Sequence, residues 1–261
     1  MQVRRALVTG AGARLGTAMA LALGEAGFDV AVHYASSEGP ANEVAGAIRA
    51  MGHRAVALQA DLLDDDATEA LLPAAAEALG GPVSLLINNA SIFEYDTIET
   101  ATRESWERHI GSNLRAPFLL TQALAAQAPA PSTDAGGEPM AEALIVNMID
   151  QRVRKLTPEF ATYTIAKMGL WALTQTAAQG LAPRVRVNAI GPGPTLQGSR
   201  QSARHFADQR AATVLKRGAN VDDITGALMY FVHAPAVTGQ LLCIDGGQHL
   251  AWETPDVLGV E

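Results

Sequence analysis

Residues 6–16 read ALVTGAGARLG, and this stretch decides the fold of the chain. Its apolar start is typical of a short buried strand, and glycines follow at positions 10, 12 and 16 as the composition turns helical. A strand-to-helix turn uses such glycines to bring its backbone close to a pyrophosphate, which the first amides of the helix then bind. The stretch therefore predicts a nucleotide-binding turn made by Gly10, Gly12 and Gly16, although the spacing departs from the plain G-x-G-x-x-G pattern.

Short apolar runs alternate with helical segments along the rest of the chain. The runs are 6–8, 30–32, 55–58, 85–87, 143–146, 185–187 and 241–244, and the helical segments are 15–25, 43–51, 66–79, 106–126, 160–179 and 222–231. Such alternation is typical of parallel strands joined by right-handed helical crossovers. We therefore predict an α/β fold, a Rossmann-like doubly wound parallel sheet of about seven strands with helices on both faces, built as a single domain over 1–261. Residues 128–142, rich in Pro, Gly and Ser, are expected to form a flexible surface insertion.

Composition and charge exclude several classes of function. The formal net charge of −8 argues against sequence-independent binding to nucleic acid or to an anionic membrane. Neither an apolar stretch of about 18 residues nor the pattern of a signal peptide is found, so no membrane span or secretion is expected. Cys243 is the one cysteine, which rules out an internal disulfide and favours the cytoplasm. We predict no metal site.

The end of the second predicted strand indicates which dinucleotide would bind. An NAD site usually has an acidic residue here for the ribose 2′-hydroxyl, whereas this chain has His33-Tyr34-Ala35-Ser36-Ser37. The hydroxyls of Ser36 and Ser37, with Arg14 across the turn, suit a 2′-phosphate, so the predicted cofactor is NADPH/NADP. The alternative is a polar loop with no role in cofactor binding.

Three later strand ends also carry residues of the kind that bind ligands. They lie at 61–62, 88–91 and 191–195, where polar side chains and a rigid Gly-Pro turn would face an adenine, a ribose or a nicotinamide. The carboxyl ends of parallel strands meet at one edge of a sheet, which is where open α/β folds bind ligands. A common cleft is therefore predicted there.

The stretch 147–167, NMIDQRVRKLTPEFATYTIAK, is the candidate for chemistry. Tyr163 and Lys167 are four residues apart and share one face of a predicted helix. A free phenol has a pKa of ~10 and is a poor acid or base at neutral pH unless a cation stabilises its phenolate. Lys167 would supply that cation, and Asp150 lies at the end of the preceding strand. A Tyr-x-x-x-Lys match alone also occurs by chance.

Taken together, TGAGARLG, NNAS, a helical Asn113, YTIAK, NAIGPG and LLCIDGG resemble the short-chain dehydrogenase/reductase family over essentially the whole chain. The resemblance implies that Tyr163 donates a proton, that Lys167 lowers its pKa and holds the ribose, and that Asn113 positions a proton-relay water. The implied cofactor residues are Gly10, Gly12, Arg14, Leu15, Gly16, His33, Ser36, Ser37, Asp61, Leu62, Asn89, Ala90, Ser91, Lys167, Pro192 and Gly193.

Two departures from the family pattern are similar to the pteridine reductases within it. Arg14 replaces a glycine of the first turn, and Asp150 stands where the family usually has its catalytic serine. In that subgroup the aspartate assists the tyrosine, the arginine lies near the cofactor phosphates and the substrate, and a phenylalanine at the place of Phe93 stacks over the pterin. The resemblance thus implies substrate contacts from Arg14, Phe93, Asp150 and Tyr163, and NADPH-dependent reduction of a dihydropterin or dihydrofolate C=N bond.

Two other functions stay open at this point. One is reduction of another small carbonyl or imine substrate, with Asp150 merely tolerated. The other is an inactive NADP(H)-binding sensor, although the intact set of Tyr163, Lys167 and Asn113 argues against it. The resemblance further implies a homotetramer and a C-terminal tail, residues 249–261, close to a substrate pocket.

Overall fold

Seven parallel strands form the central sheet of the computed structural model, which describes residues 4–198 and 201–253. The strands are β1 Arg4–Val8, β2 Phe28–Tyr34, β3 Ala55–Gln59, β4 Leu85–Asn88, β5 Ala143–Met148, β6 Val185–Pro192 and β7 Leu241–Ile244. Their order in the sheet is β3-β2-β1-β4-β5-β6-β7. The order reverses between β1 and β4, which opens a crevice at the carboxyl ends of those strands. The predicted doubly wound parallel sheet is confirmed, and all seven predicted apolar runs lie inside these strands.

Helices cover both faces of the sheet. They are α1 Arg14–Glu25, α2 Glu38–Ala50, α3 Asp65–Leu79, α4 Arg103–Ile110, α5 Ala116–Gln127, α6 Ala161–Gly180, α7 Ala203–Ala211 and α8 Val221–His233. Successive strand residues point to opposite faces. In β1, Ala6 and Val8 pack with α1, α2 and α8, while Leu7 packs with α3, α5 and α6. The core is therefore two apolar layers separated by the sheet.

Three helices differ from the prediction, and one of them is α2, which begins at Glu38, five residues before its predicted start at 43. The predicted helix 106–126 begins earlier, at Arg103, because Thr102 and Ser105 cap each other's backbone N–H groups at 3.1 and 3.0 Å. A π-helical turn, Gly111–Arg115, then separates α4 from α5. Helix α7 was not predicted at all, and no residue of it is buried, so it carries no apolar periodicity that the sequence could reveal.

The insertion 128–142 contains a small antiparallel hairpin that joins Ser132–Thr133 to Pro139–Met140. Asp134 closes it, because its Oδ1 accepts from the N–H groups of Gly136 and Glu138 at 2.8 and 2.9 Å. The composition of this segment predicted only a flexible surface insertion. Strands of two residues are too short for any alternation to predict them.

Within residues 4–198 and 201–253, no helix is both long and apolar enough to cross a membrane. The tail predicted at 249–261 is described only as far as residue 253, and residues 254–261 lie outside the described part of the chain. The single-domain organisation and the cytoplasmic location stay predictions.

Candidate active site

A cleft of about 1320 Å³ opens at the carboxyl ends of the strands. All the predicted cofactor residues line it except Lys167, and Phe93 and Asp150 line it as well. Tyr163, Lys167 and Asn113 lie behind its wall, with 5%, 2% and 0% of their surfaces exposed. The predicted site residues therefore form one assembly, in which three of the four predicted catalytic residues sit beneath the surface of the cleft.

The glycine turn between β1 and α1 is held rigidly. Gly10 has φ +62°, which favours glycine, and a Cβ added to Gly16 would lie 2.2 Å from the carbonyl oxygen of Gly10. Asn89 Nδ2 donates to Thr9 O at 2.8 Å from the end of β4. Asn89, predicted as a cofactor-pocket residue, thus also braces the turn.

His33 supports the same turn from β2. Its Nδ1 accepts from the N–H of Gly10 at 3.0 Å, so the ring proton is on Nε2, which donates to Ala60 O at 3.1 Å. Burial lowers the pKa of His33, and the backbone bond to Ala60 opposes this only in part. A neutral imidazole is required here, since a protonated Nδ1 would face the N–H of Gly10 as a second donor.

Arg14 connects the glycine turn to the segment after β6. It adopts φ 53°, which is unusual for a residue with a side chain. Its guanidinium donates to Leu196 O at 3.0 Å and to Gln197 O at 2.9 Å. Arg14 was predicted to bind a 2′-phosphate, and here its guanidinium is bonded to two backbone carbonyls instead.

Ser36 and Ser37 line the cleft beside this turn, at the end of β2. A Cβ added to Gly12 would lie 3.1 Å from Ser37 O, so the two loops are in close contact. At the end of β3, Asp61 faces the same cleft, and its Oδ1 accepts from the N–H of Leu63 at 3.0 Å.

Tyr163 and Asp150 meet at the bottom of the cleft. The phenol O–H donates to Asp150 Oδ2 at 3.1 Å, and Asp150 Oδ1 accepts from the N–H of Arg152 at 2.8 Å. Lys167 Nζ donates to Met148 O at 2.8 Å and lies 5.7 Å from the centroid of the Tyr163 ring. The structure thus brings Asp150, Tyr163 and Lys167 together, as predicted.

Burial controls the protonation of all three groups. It raises the pKa of Tyr163 well above its ordinary value, and the charge of Asp150 raises it further. Burial also raises the pKa of Asp150 and lowers the pKa of Lys167 to about 8. The net pKa of Tyr163 is raised because desolvation and the adjacent carboxylate dominate, and the lowering effect of Lys167 stays a prediction. A hydrogen bond with Ser91 lowers the pKa of Tyr163 only in part.

Asn113 lies in the π-helical turn and is fully buried. Its Nδ2 donates to Ile92 O at 2.8 Å, and its Oδ1 accepts from the N–H of Ile92 at 2.9 Å. The side chain therefore fastens the loop that follows β4. Its role in positioning a relay water stays a prediction.

Aromatic rings form one side of the cleft. Phe93 is 44% exposed and stacks on Phe160, with centroids 4.3 Å apart and planes 11° apart. Its edge also meets Tyr163 at 4.7 Å, and Tyr95 packs against Phe160 at 5.2 Å. The guanidinium of Arg152 lies 5.1 Å over the Phe160 ring. Phe93 was predicted, whereas Tyr95, Arg152 and Phe160 were missed because they lie in loops and short turns without periodicity.

Known proteins match this chain over nearly its full length. The family described as short chain dehydrogenase matches residues 4–208. The structure of FolM alternative dihydrofolate reductase 1 from Brucella canis complexed with NADP is 39% identical, covers 98% of each chain and superposes with a TM-score of 0.88. An uncharacterized oxidoreductase of Methylorubrum extorquens is 33% identical over 93% of this chain and 96% of its own length. The 3-oxoacyl-[acyl-carrier-protein] reductase FabG of Staphylococcus epidermidis is 30% identical over 95% and 99%.

The state of His33 predicts how acid affects the fold. An unfolded histidine titrates near ~6.5, and the folded pKa is lower, so the stability from neutral His33 is present above that value and is lost as the pH falls through the folded pKa. His33→Asn keeps an acceptor for Gly10 and cannot gain a proton, but it loses the bond to Ala60, at a cost of ~1 kcal/mol. We expect the variant to unfold at a lower temperature than the parent at neutral pH, with the gap narrowing in acid. Calorimetry of both proteins across pH checks this, and a gap that stays constant or widens in acid would contradict it.

Proposed function

Because the chain belongs to the short-chain dehydrogenase family, we propose that it is an NADPH-dependent reductase of a pteridine-like C=N bond, in a dihydropterin or a dihydrofolate. The observation that carries the proposal is the pairing of Asp150 with Tyr163 at 3.1 Å, with the Phe93 ring beside them. The family already makes the chain an oxidoreductase. The likeness to the Brucella canis protein, whose name is that of a dihydrofolate reductase, supports the finer assignment.

The residues at the start of α1 fit a dinucleotide phosphate. Helix α1 has no side-chain cap at Ala13 and no acidic residue in its first turn, so its first N–H groups are free for an anion. The crowded Gly10–Gly16 contact keeps the turn close to the helix axis. Ser36 and Ser37 would donate to a 2′-phosphate at the end of β2.

The chain's own residues manage the proton. When bound, NADPH supplies the hydride. Tyr163 keeps its proton at neutral pH, as an ordinary phenol does and more firmly because its pKa is raised, and it donates that proton to Asp150 in a hydrogen bond. The raised pKa of Asp150 lets this carboxyl exchange a proton with the phenol, so the two groups titrate as a pair. Lys167, charged below about 8, offsets the negative charge that the pair gains when a proton leaves.

A carboxyl at position 150 suits a nitrogen substrate better than a ketone. A serine hydroxyl can donate a hydrogen bond to a carbonyl oxygen at any pH. An ionised carboxylate can only accept hydrogen bonds, and a carboxyl group donates one only when it is protonated. A pterin offers ring N–H and amino donors to the carboxylate and a ring nitrogen that takes up a proton. Ionised Asp150 can accept from the pterin donors, and protonated Asp150 can supply a proton for the ring nitrogen.

Asp150→Ser tests the substrate assignment, because it restores the usual family residue. We expect kcat/KM for 7,8-dihydrobiopterin and dihydrofolate to fall by ~10²-fold or more, the scale of general acid catalysis, while simple ketones gain if they change at all. The measurement is loss of NADPH absorbance. NADPH affinity, measured by fluorescence titration, serves as the control for an intact cofactor site. If the serine variant reduces dihydropteridines as well as the parent, or the parent reduces only ketones, the carbonyl reductase alternative replaces this one, in line with the likeness to FabG.

Preference for NADPH is a separate prediction. Charge-assisted hydrogen bonds from Ser36 and Ser37 to a 2′-phosphate contribute ~1.5–3 kcal/mol each, and NADH lacks them. We expect Ser36→Asp to weaken NADPH binding by ~10-fold or more through repulsion and to improve NADH binding relative to it. Ala74→Asp, which adds the same charge on the exposed face of α3, should change neither affinity. Equal affinity of the parent for NADH and NADPH would contradict the prediction.

We also propose that the enzyme is a homotetramer in which α4, α5 and α6 pack between subunits. The support is a set of large apolar side chains exposed on these helices, namely Trp106, Phe118, Ile165 and Met168. Light scattering should then give four times the chain mass, and Phe118→Glu should lower it. A monomeric parent would refute the tetramer and would not bear on the proposed reaction.

A further inference from the structure

Helix α6 carries Tyr163 and Lys167, yet its start has no cap of its own. Phe160 precedes the helix with φ 56° and ψ 49°, makes no side-chain capping bond, and no acidic residue lies in the first turn. The open N–H groups at such a helix start need partners when they are buried. We propose that Asp96, a residue of the loop after β4, is the positioning residue that caps α6 from outside and fixes Tyr163 against Asp150.

Asp96 receives the backbone of the helix start directly. Its carbonyl oxygen accepts from the N–H of Phe160 at 2.7 Å, and its Oδ1 accepts from the N–H of Thr162 at 3.2 Å. Its Oδ2 accepts from the hydroxyls of Thr162 and Ser105, the latter at 3.1 Å. The residue is only 2% exposed, so these bonds replace its contact with water. The carboxylate also lies at the positive end of the helix dipole.

His109 sets the direction of the hydrogen bonds around Asp96. Its Nε2 accepts from the N–H of Glu94 at 3.1 Å, so the ring proton is on Nδ1, which lies 2.7 Å from Thr162 Oγ1. The hydroxyl of Thr162 must therefore accept a hydrogen bond from His109 and donate one to Asp96. The hydrogen bonds from Thr162 and Ser105 outweigh the effect of burial and lower the pKa of Asp96, which keeps the cap ionised. Three elements, the loop, α4 and α6, are thus tied at one carboxylate.

The cap controls two parts of the site at once. Thr162 is the residue before Tyr163, so holding its N–H fixes the position of the phenol along the helix. Holding the N–H of Phe160 fixes the ring on which Phe93 stacks at 4.3 Å. A displacement of ~1 Å of a reacting group can lower a rate by 10²-fold. Asp96 lines no part of the cleft, so its effect must pass through these neighbours.

The experiment rests on the proposed role of Tyr163 and uses Asp96→Ala and Asp96→Asn in the full chain. The substrate is whichever of 7,8-dihydrobiopterin or a simple ketone the parent reduces with NADPH. Asp96→Ala should lower kcat by ~10-fold or more and leave the KM for NADPH within ~2-fold of the parent. Asp96→Asn should recover only part of kcat, because its amide oxygen can still accept from the N–H of Thr162 while its NH2 group cannot accept from the hydroxyls of Thr162 and Ser105.

Asp64→Ala is the matched control. Asp64 caps α3 by accepting from the N–H of Ala67 at 3.0 Å, and α3 carries none of the proposed site residues. Removing this exposed cap should lower the unfolding temperature, by less than the loss of the buried Asp96 carboxylate, and leave kcat unchanged. If Asp96→Ala loses only stability, as the control does, Asp96 is not a positioning residue and the inference is overturned.

A double variant separates this inference from the proposed function. If Asp96 acts through Tyr163, the loss from Asp96→Ala should largely disappear in a Tyr163→Phe background, whereas additive losses would overturn the inference. If Tyr163→Phe alone keeps full turnover, the proposed role of Tyr163 fails instead. Amide hydrogen exchange tests whether Asp96 caps α6 even if the protein shows no turnover. The amide of Thr162, which Asp96 Oδ1 holds, should lose protection in Asp96→Ala and keep it in Asp64→Ala, and unchanged protection in Asp96→Ala refutes the cap.

Discussion

The contact between Tyr163 and Asp150 depends on the burial of three ionisable groups in one place. Tyr163 and Lys167 are shielded from water, Asp150 is half-buried at the cleft, and desolvation is the largest influence on each of their pKa values. Buried polar groups must therefore find partners in the protein, and here they find one another and the carbonyl of Met148. This explains why the phenol stays protonated, and why Lys167, charged below about 8, is the cation beside the pair when a proton leaves.

The parallel sheet makes this burial possible. The carboxyl ends of β1, β2, β3 and β4 supply the predicted cofactor wall, and β5 delivers Asp150 to the same edge. The loop after β4 then covers the phenol with Phe93, while Asn113 and Asp96 hold that loop to the helices on either side. The cleft and the residues beneath it are thus two layers of one site, joined by side chains that never reach its surface.

Sequence alone predicted the sheet, the glycine turn and the meeting of Asp150 with Tyr163, because each depends on short-range spacing and on the common edge of parallel strands. It could not predict Asp96, which lies 66 positions from Thr162 in a loop without periodicity. It also missed Phe160, whose left-handed backbone follows from tertiary contacts, and helix α7, which buries no residue. The raised pKa of Tyr163 was not foreseen for the same reason: helical spacing shows that Lys167 is near but not how deeply the pair is buried.

The starts of three helices differ in how their free N–H groups are used, either to bind a ligand or to hold a side chain in position. Helix α3 is capped by its own Asp64 and begins with two further acidic residues, so it repels an anion. Helix α6 has no cap of its own but receives the carboxylate of Asp96, so its dipole is already used inside the protein. Helix α1 has neither, and its N–H groups open toward the cleft beside Gly10 and Gly12. Of these three helix starts, α1 is therefore the one whose N–H groups can bind a phosphate. The cap of α3 stabilises the fold, and the cap of α6 positions the phenol of Tyr163.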